Sequence, residues 1–147
     1  MYDTITFLQN AWSPRWAGRH WPRQRWLGAL RRSHSGRRLS DMLDDLSICW
    51  NLTTTVCATP EEIPEPDVPY IRTIIAQQSP KLIVACGRVA EETLQELWLG
   101  PLLVVPHPTY RMLTKQLYRE AKHIIEHGFD KRAALRQRKG RTEMELL

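Results

Sequence analysis

Lys81-Leu82-Ile83-Val84-Ala85-Cys86 is a nearly continuous apolar run, bounded by Pro80 before it and Gly87 after it. A strand with one wet face alternates apolar and polar residues. A run without alternation has both faces covered, which is the pattern of a strand inside a parallel sheet. Parallel neighbours need long crossover connections, usually helices, so this one segment commits the chain to a βαβ architecture. Gly87 leads straight into a helical stretch from Val89 to Trp98, and Gly100-Pro101 ends it. Leu102 to Val105 repeats the buried-strand pattern, and Thr4-Ile5-Thr6-Phe7-Leu8 reads as a further strand, β-branched and aromatic.

The rest of the chain supplies the crossovers. A helix is expected from Pro22 to about Arg32, broken by Gly36. Leu39, Met42, Leu43 and Leu46 then fall on one face of a second helix that Ser40 or Asp41 can cap. Leu52 to Cys57 is threonine-rich and strand-like. Thr59 to Pro69 holds four of the ten prolines and reads as a rigid loop. Asp67 can cap a helix to about Gln78, and a long helix is expected from about Thr109 to His127 with Leu113, Leu117, His123 or Ile124, and Ile125 as its stripe. The expectation is a single α/β domain over residues 1–147, a three-layer sandwich with a four-stranded, mostly parallel sheet. A basic tail, with Lys131, Arg132, Arg136, Arg138, Lys139 and Arg141, runs from about residue 130.

Composition narrows the function. The chain has 147 residues, 42% of them hydrophobic and 25% charged, enough for one core. No run approaches the roughly 18 apolar residues of a membrane span, and the N-terminus lacks a signal-peptide layout, so a cytoplasmic protein is expected. Cys49, Cys57 and Cys86 are an odd set without close spacing, which fits neither a disulfide framework nor a metal knuckle.

Charge is more telling than composition. Net charge is +5, yet no acidic residue occurs between Asp3 and Asp41. That stretch carries Arg15, Arg19, Arg23, Arg25, Arg31, Arg32, Arg37 and Arg38, interleaved with Trp12, Trp16, Trp21 and Trp26. Arginine presents a planar fork of donors that matches phosphate, and aromatic rings among such cations stack on unpaired bases. These arginines are therefore candidate DNA contacts, with single-stranded DNA among the expected partners. The competing reading is a solvated basic surface whose tryptophans are core.

Three strand ends carry matching chemistry: Phe7-Leu8-Gln9-Asn10-Ala11-Trp12, Trp50-Asn51-Leu52-Thr53-Thr54, and Pro106-His107-Pro108-Thr109-Tyr110-Arg111. In this order they resemble the uracil-DNA glycosylase superfamily. That family has a first-strand motif of the Gly-Gln-Asp-Pro-Tyr or Gly-Met-Asn-Pro-Gly kind, an asparagine opening a threonine-containing strand, and a closing His-Pro-Ser. His-Pro-Thr-Tyr-Arg and the Asn in the first motif are closest to the single-strand-selective monofunctional branch. Leu8 stands where the family has glycine and Ala11 where it has proline.

The resemblance implies roles. Asn10 positions the attacking water, Gln9 and Asn51 hold and read the base, and His107 donates to the pyrimidine O2. Trp12 is the nearest ring for stacking on the flipped base. Arg111 with Met112 lies where family members insert a wedge into the vacated stack. No cofactor or metal is implied, because three cysteines cannot supply an iron–sulfur set of four. The expected activity is hydrolysis of the N-glycosidic bond of uracil or a modified pyrimidine in DNA, as in DNA repair. The base would be flipped out of the stack, and a donor such as His107 would stabilise the leaving anion. Leu8 and Ala11 motivate the alternative: a non-catalytic module on the same fold that binds DNA or a protein partner.

Overall fold

A computed structural model describes residues 2–9, 13–110 and 115–127. Strand β1 (Thr4–Leu8) is followed by α1 (Arg23–Arg31) and α2 (His34–Leu39), then β2 (Cys49–Asn51) and α3 (Val68–Gln78). Strand β3 (Leu82–Cys86), α4 (Arg88–Leu97), β4 (Leu102–Val105) and α5 (Lys115–His127) complete the order. The four strands form one sheet in the order β2-β1-β3-β4, and every pairing is parallel.

Period-two alternation divides the core between the two faces of this sheet. Leu82, Val84 and Cys86 of β3, with Leu103 and Val105 of β4, face α1 and α5, where Trp26, Leu30, Tyr118 and Ala121 pack. Ile83, Ala85, Leu102 and Val104 face the other way, onto Ile71 and Ile74 of α3 and Ala90 and Leu94 of α4. Helices thus cover both faces, and the apolar run of β3 is buried throughout. The right-handed crossover rule accounts for the division: β1 to β2 moves in one direction along the sheet and β3 to β4 in the other, so their helices lie on opposite faces.

Several local expectations are corrected. Gly36 does not break a helix; it lies buried inside α2, where a side chain would collide with the Leu30 carbonyl of α1. Close helix approach, not chain reversal, is its reason. The expected helix through Leu39, Met42, Leu43 and Leu46 is a turn followed by a short 3-10 segment at Leu46–Ile48; Leu39, Met42 and Leu43 are nevertheless buried. The strand expected at Leu52–Cys57 falls earlier, at Cys49–Asn51, because Leu8 pairs with Asn51 and β1 ends there. Thr55 and Val56 make only isolated bridges, to His20 and Ala17. Pro108 and Thr109 form a turn, closed by the Tyr110 N–H on the His107 carbonyl at 2.9 Å, rather than the start of α5. Asp67 does cap α3, accepting from the Tyr70 N–H at 3.1 Å.

Thr6 at the centre of β1 is fully buried, and its hydroxyl finds no partner among the described residues. Thr6→Val keeps the shape and removes the unpaired group, so it is expected to raise stability by about 1 kcal/mol, read as a higher urea midpoint.

Candidate functional site

The strand ends meet in a single row. Leu8 pairs with Asn51 on one side and Cys86 on the other, and Cys86 pairs with Val105. Gln9, Gly87 and the Pro106-His107 turn therefore emerge along one edge. The strand order reverses between β1 and β3, the place where open parallel sheets bind ligands.

His107 spans the end of β3 to reach β1. Its Nε2 lies 2.7 Å from the Gln9 carbonyl oxygen. Its Nδ1 receives the Thr109 backbone N–H at 3.2 Å and lies 2.8 Å from the Thr109 hydroxyl. A backbone N–H can only donate, so Nδ1 is unprotonated and Nε2–H is the donor to Gln9. Burial holds the imidazole below its ordinary pKa of 6.5, against the smaller opposing effect of the Gln9 carbonyl. His107 is a neutral, oriented donor at neutral pH.

Its loop is fixed from three sides. Arg38 of α2 donates through Nη1 to the Pro108 carbonyl at 2.6 Å and the Tyr110 carbonyl at 3.2 Å. The Tyr118 hydroxyl of α5 donates to the Pro106 carbonyl at 3.0 Å. Gly87 has φ +91, a backbone conformation that favours glycine, and a Cβ there would stand a tight 3.2 Å from the His107 Cβ and push on it.

A cleft of about 410 Å³ opens beside this donor, lined by Gln9, His107, Arg15, Arg32 and the rings of Trp16, Trp21 and Trp26. Trp16 and Trp21 are stacked, with centroids 6.2 Å apart and planes tilted by 16°. The guanidinium of Arg19 lies 5.3 Å from the Trp16 centroid and that of Arg15 6.0 Å, within cation–π range. The threonine-rich segment after β2 holds this tryptophan segment in place. Val56 accepts from the Gly18 N–H at 2.9 Å, and Thr54 accepts from the Trp21 N–H at 2.7 Å.

Asn51 borders a second cleft, of about 210 Å³, with His20, Arg23, Thr53, Thr54 and Tyr70. It is buried, and its side-chain oxygen accepts a long bond from the Thr53 N–H at 3.4 Å. Trp21 and Trp26 line this cleft as well, so they form the wall between Asn51 and His107. A third opening of about 330 Å³ lies at the start of α4, lined by Gln9, Gly87, Arg88 and His107.

The structure thus gathers Gln9, His107, Arg15 and Arg32 around one cleft and sets Asn51 in the next. Asn10, Trp12, Arg111 and Met112 lie outside the described residues. Leu8 is buried, packing in the core with Trp26 while touching the cleft. Arg25, Arg31 and Arg37 are exposed. Two expected DNA contacts are engaged elsewhere. Arg38 holds the His107 loop. Arg23 is half-buried, donating to the Cys49 carbonyl at 2.6 Å and to the Ser47 carbonyl at 2.5 Å, with its guanidinium 3.9 Å from the Trp50 centroid. Sequence reasoning missed Thr109 as the group that sets the His107 tautomer. The bond that decides comes from the Thr109 backbone N–H, which any residue but proline would offer, so the side chain at that position carries no signal for it.

Burial pushes the Cys49 thiol up to about 12 and the Cys86 thiol well above its ordinary value, so neither is a nucleophile at neutral pH. Among the described residues no group of three or more His, Cys, Asp or Glu side chains could hold a metal ion, and no helix is long and apolar enough to cross a membrane. Comparison with protein-family models, curated proteins and solved structures gives no match.

The His107 environment sets a pH dependence. The folded protein holds this imidazole below 6.5, and the unfolded chain does not. As pH falls below 6.5 the unfolded chain binds the proton first, so stability falls with it, and the loss levels off once folded His107 is also protonated. Unfolding midpoints measured from pH 8 down to pH 4, each against a His107→Gln control, should show a fall in wild type that the control lacks.

Proposed function

We propose that the protein is a monofunctional DNA glycosylase that removes uracil or a modified pyrimidine by hydrolysing its N-glycosidic bond. The observation that carries this reading is the neutral, Nε2-protonated His107 at the strand edge, beside a cleft walled by tryptophans and lined by arginines without a carboxylate. The basic lining draws the phosphate backbone, and the rings suit a flipped base.

In the proposed reaction the C1′–N1 bond breaks and its electron pair leaves with the base. Water bonds to C1′ and releases a proton to solvent. The departing pyrimidine carries its charge on the N1–C2–O2 system, where the Nε2–H of His107 donates. In the free protein that hydrogen is held by the Gln9 carbonyl, so the base oxygen shares or displaces it. A neutral donor suits this step, because it stabilises the anion through a hydrogen bond and keeps its proton, so none has to be restored between turnovers. Asn10, the expected holder of the water, orients without accepting its proton, and an aspartate there would be faster by on the order of a hundredfold.

The test is alkali-revealed strand cleavage of labelled oligonucleotides carrying uracil or 5-substituted uracils. Abasic product is expected from wild type, and His107→Ala is expected to cost about 3 kcal/mol of barrier, roughly a hundredfold or more in rate. Because His107 is already bonded to Gln9, a second reading has its own support: a DNA-binding module that does not turn over. Salt-sensitive binding of every oligonucleotide with no abasic product would favour it over the glycosylase.

A further inference from the structure

The glycosylase reading asks Asn51 and His107 to serve one base, yet they border different clefts. Among the described residues, only Trp21 and Trp26 line both. Trp26 is part of α1 and sits in the core at 5% exposure, so it cannot move without opening the fold. Trp21 is different: it lies outside the helices, only half-buried, and packs between the edge of the core and the ring of Trp16.

Its indole N–H is also out of balance. The Nε1 atom is buried and has no acceptor among the described residues. Buried donors in native proteins are nearly always paired, and this one calls for a partner: a water, a ligand or an acceptor reached from a second position of the ring. Its backbone, by contrast, is held by the 2.7 Å bond to the Thr54 carbonyl, and neighbouring His20 bridges to Thr55. The pinned part is the main chain, and the unsatisfied part is the ring.

We propose that Trp21 is the displaceable, specificity-determining wall of the base site. A pyrimidine entering beside His107 takes the space of the indole, which rotates away from Trp16. The two clefts become one, Asn51 and His107 face the same base, and the freed N–H takes a ring carbonyl as its acceptor. The inference rests on the glycosylase reading for the identity of the base, and on the shared wall and the unpaired N–H for the motion.

The test follows the Trp21 indole N–H in nitrogen–proton correlation spectra of the wild-type protein. The signal is assigned by its through-space contact with Trp16 and by its loss in Trp21→Phe. Two single strands are compared, identical except that one carries uracil on a 2′-fluoro sugar, which resists hydrolysis of the glycosidic bond, and the other a tetrahydrofuran abasic unit. With uracil the Trp21 signal should shift and its contact with Trp16 should vanish; with the abasic strand neither should happen. Trp21→Phe should weaken uracil-strand binding about tenfold, the worth of one buried hydrogen bond, and leave abasic-strand binding unchanged.

A Trp21 signal that stays in place while the Gln9 and Thr109 amides respond to uracil would overturn the proposal and leave the glycosylase intact. Silence of the Trp21 signal with both strands would overturn it too. A base-dependent Trp21 shift without abasic product from any strand would uphold the movable wall and remove the glycosylase.

Discussion

The candidate site depends on an absence of atoms at Gly87. His107 follows β4 and Gln9 follows β1, and these strands are not neighbours; β3 lies between them. The imidazole reaches Gln9 only by passing over the end of β3, where Gly87 has no side chain to obstruct it and a φ of +91 that turns the chain into α4. One glycine therefore ends a buried strand, starts a helix and clears a path for the side-chain bond that ties the end of β4 to the end of β1. That bond consumes Nε2–H, and Thr109 occupies Nδ1, so tautomer and ring orientation are set together.

What the sequence made legible was the part ruled by hydrophobic period. The unbroken run Leu82–Cys86 has both faces covered, Leu102–Val105 repeats it, and β1 follows its β-branched pattern. Capping chemistry was equally readable at Asp67. The misreadings fell where a distant partner decides. Thr53-Thr54-Thr55 has strand propensity, but β1 ends at Leu8 and leaves these residues no continuing partner, so tertiary pairing overrode propensity. Gly36 reads as a breaker until α1 is known to lie against it.

The arginines show why charge patterns resolve function only in part. A guanidinium binds a carbonyl with the same fork that binds a phosphate, and the sequence does not say which it will meet. Arg23 closes the seam between α1 and β2, with its charge desolvated enough to lower its pKa. Arg38 holds the loop that carries His107. Arg15, Arg19 and Arg32 remain on or beside the tryptophan cleft, so the basic stretch divides into cations that build the site and cations that face its opening.

That division bears on Leu8 and Ala11, the positions that depart from the glycosylase pattern. Leu8 joins Trp26 in the core and so helps hold one wall of the cleft rigid. The other residue of that shared wall, Trp21, is anchored through its backbone to the segment that β2 could not extend as a strand. A strand there would have used those carbonyls in the sheet ladder. Because β2 stops at Asn51, the Thr54 and Val56 carbonyls are available to hold the tryptophan segment over the strand ends. The short strand and the aromatic cleft are thus two results of the same register, fixed where Leu8 meets Asn51.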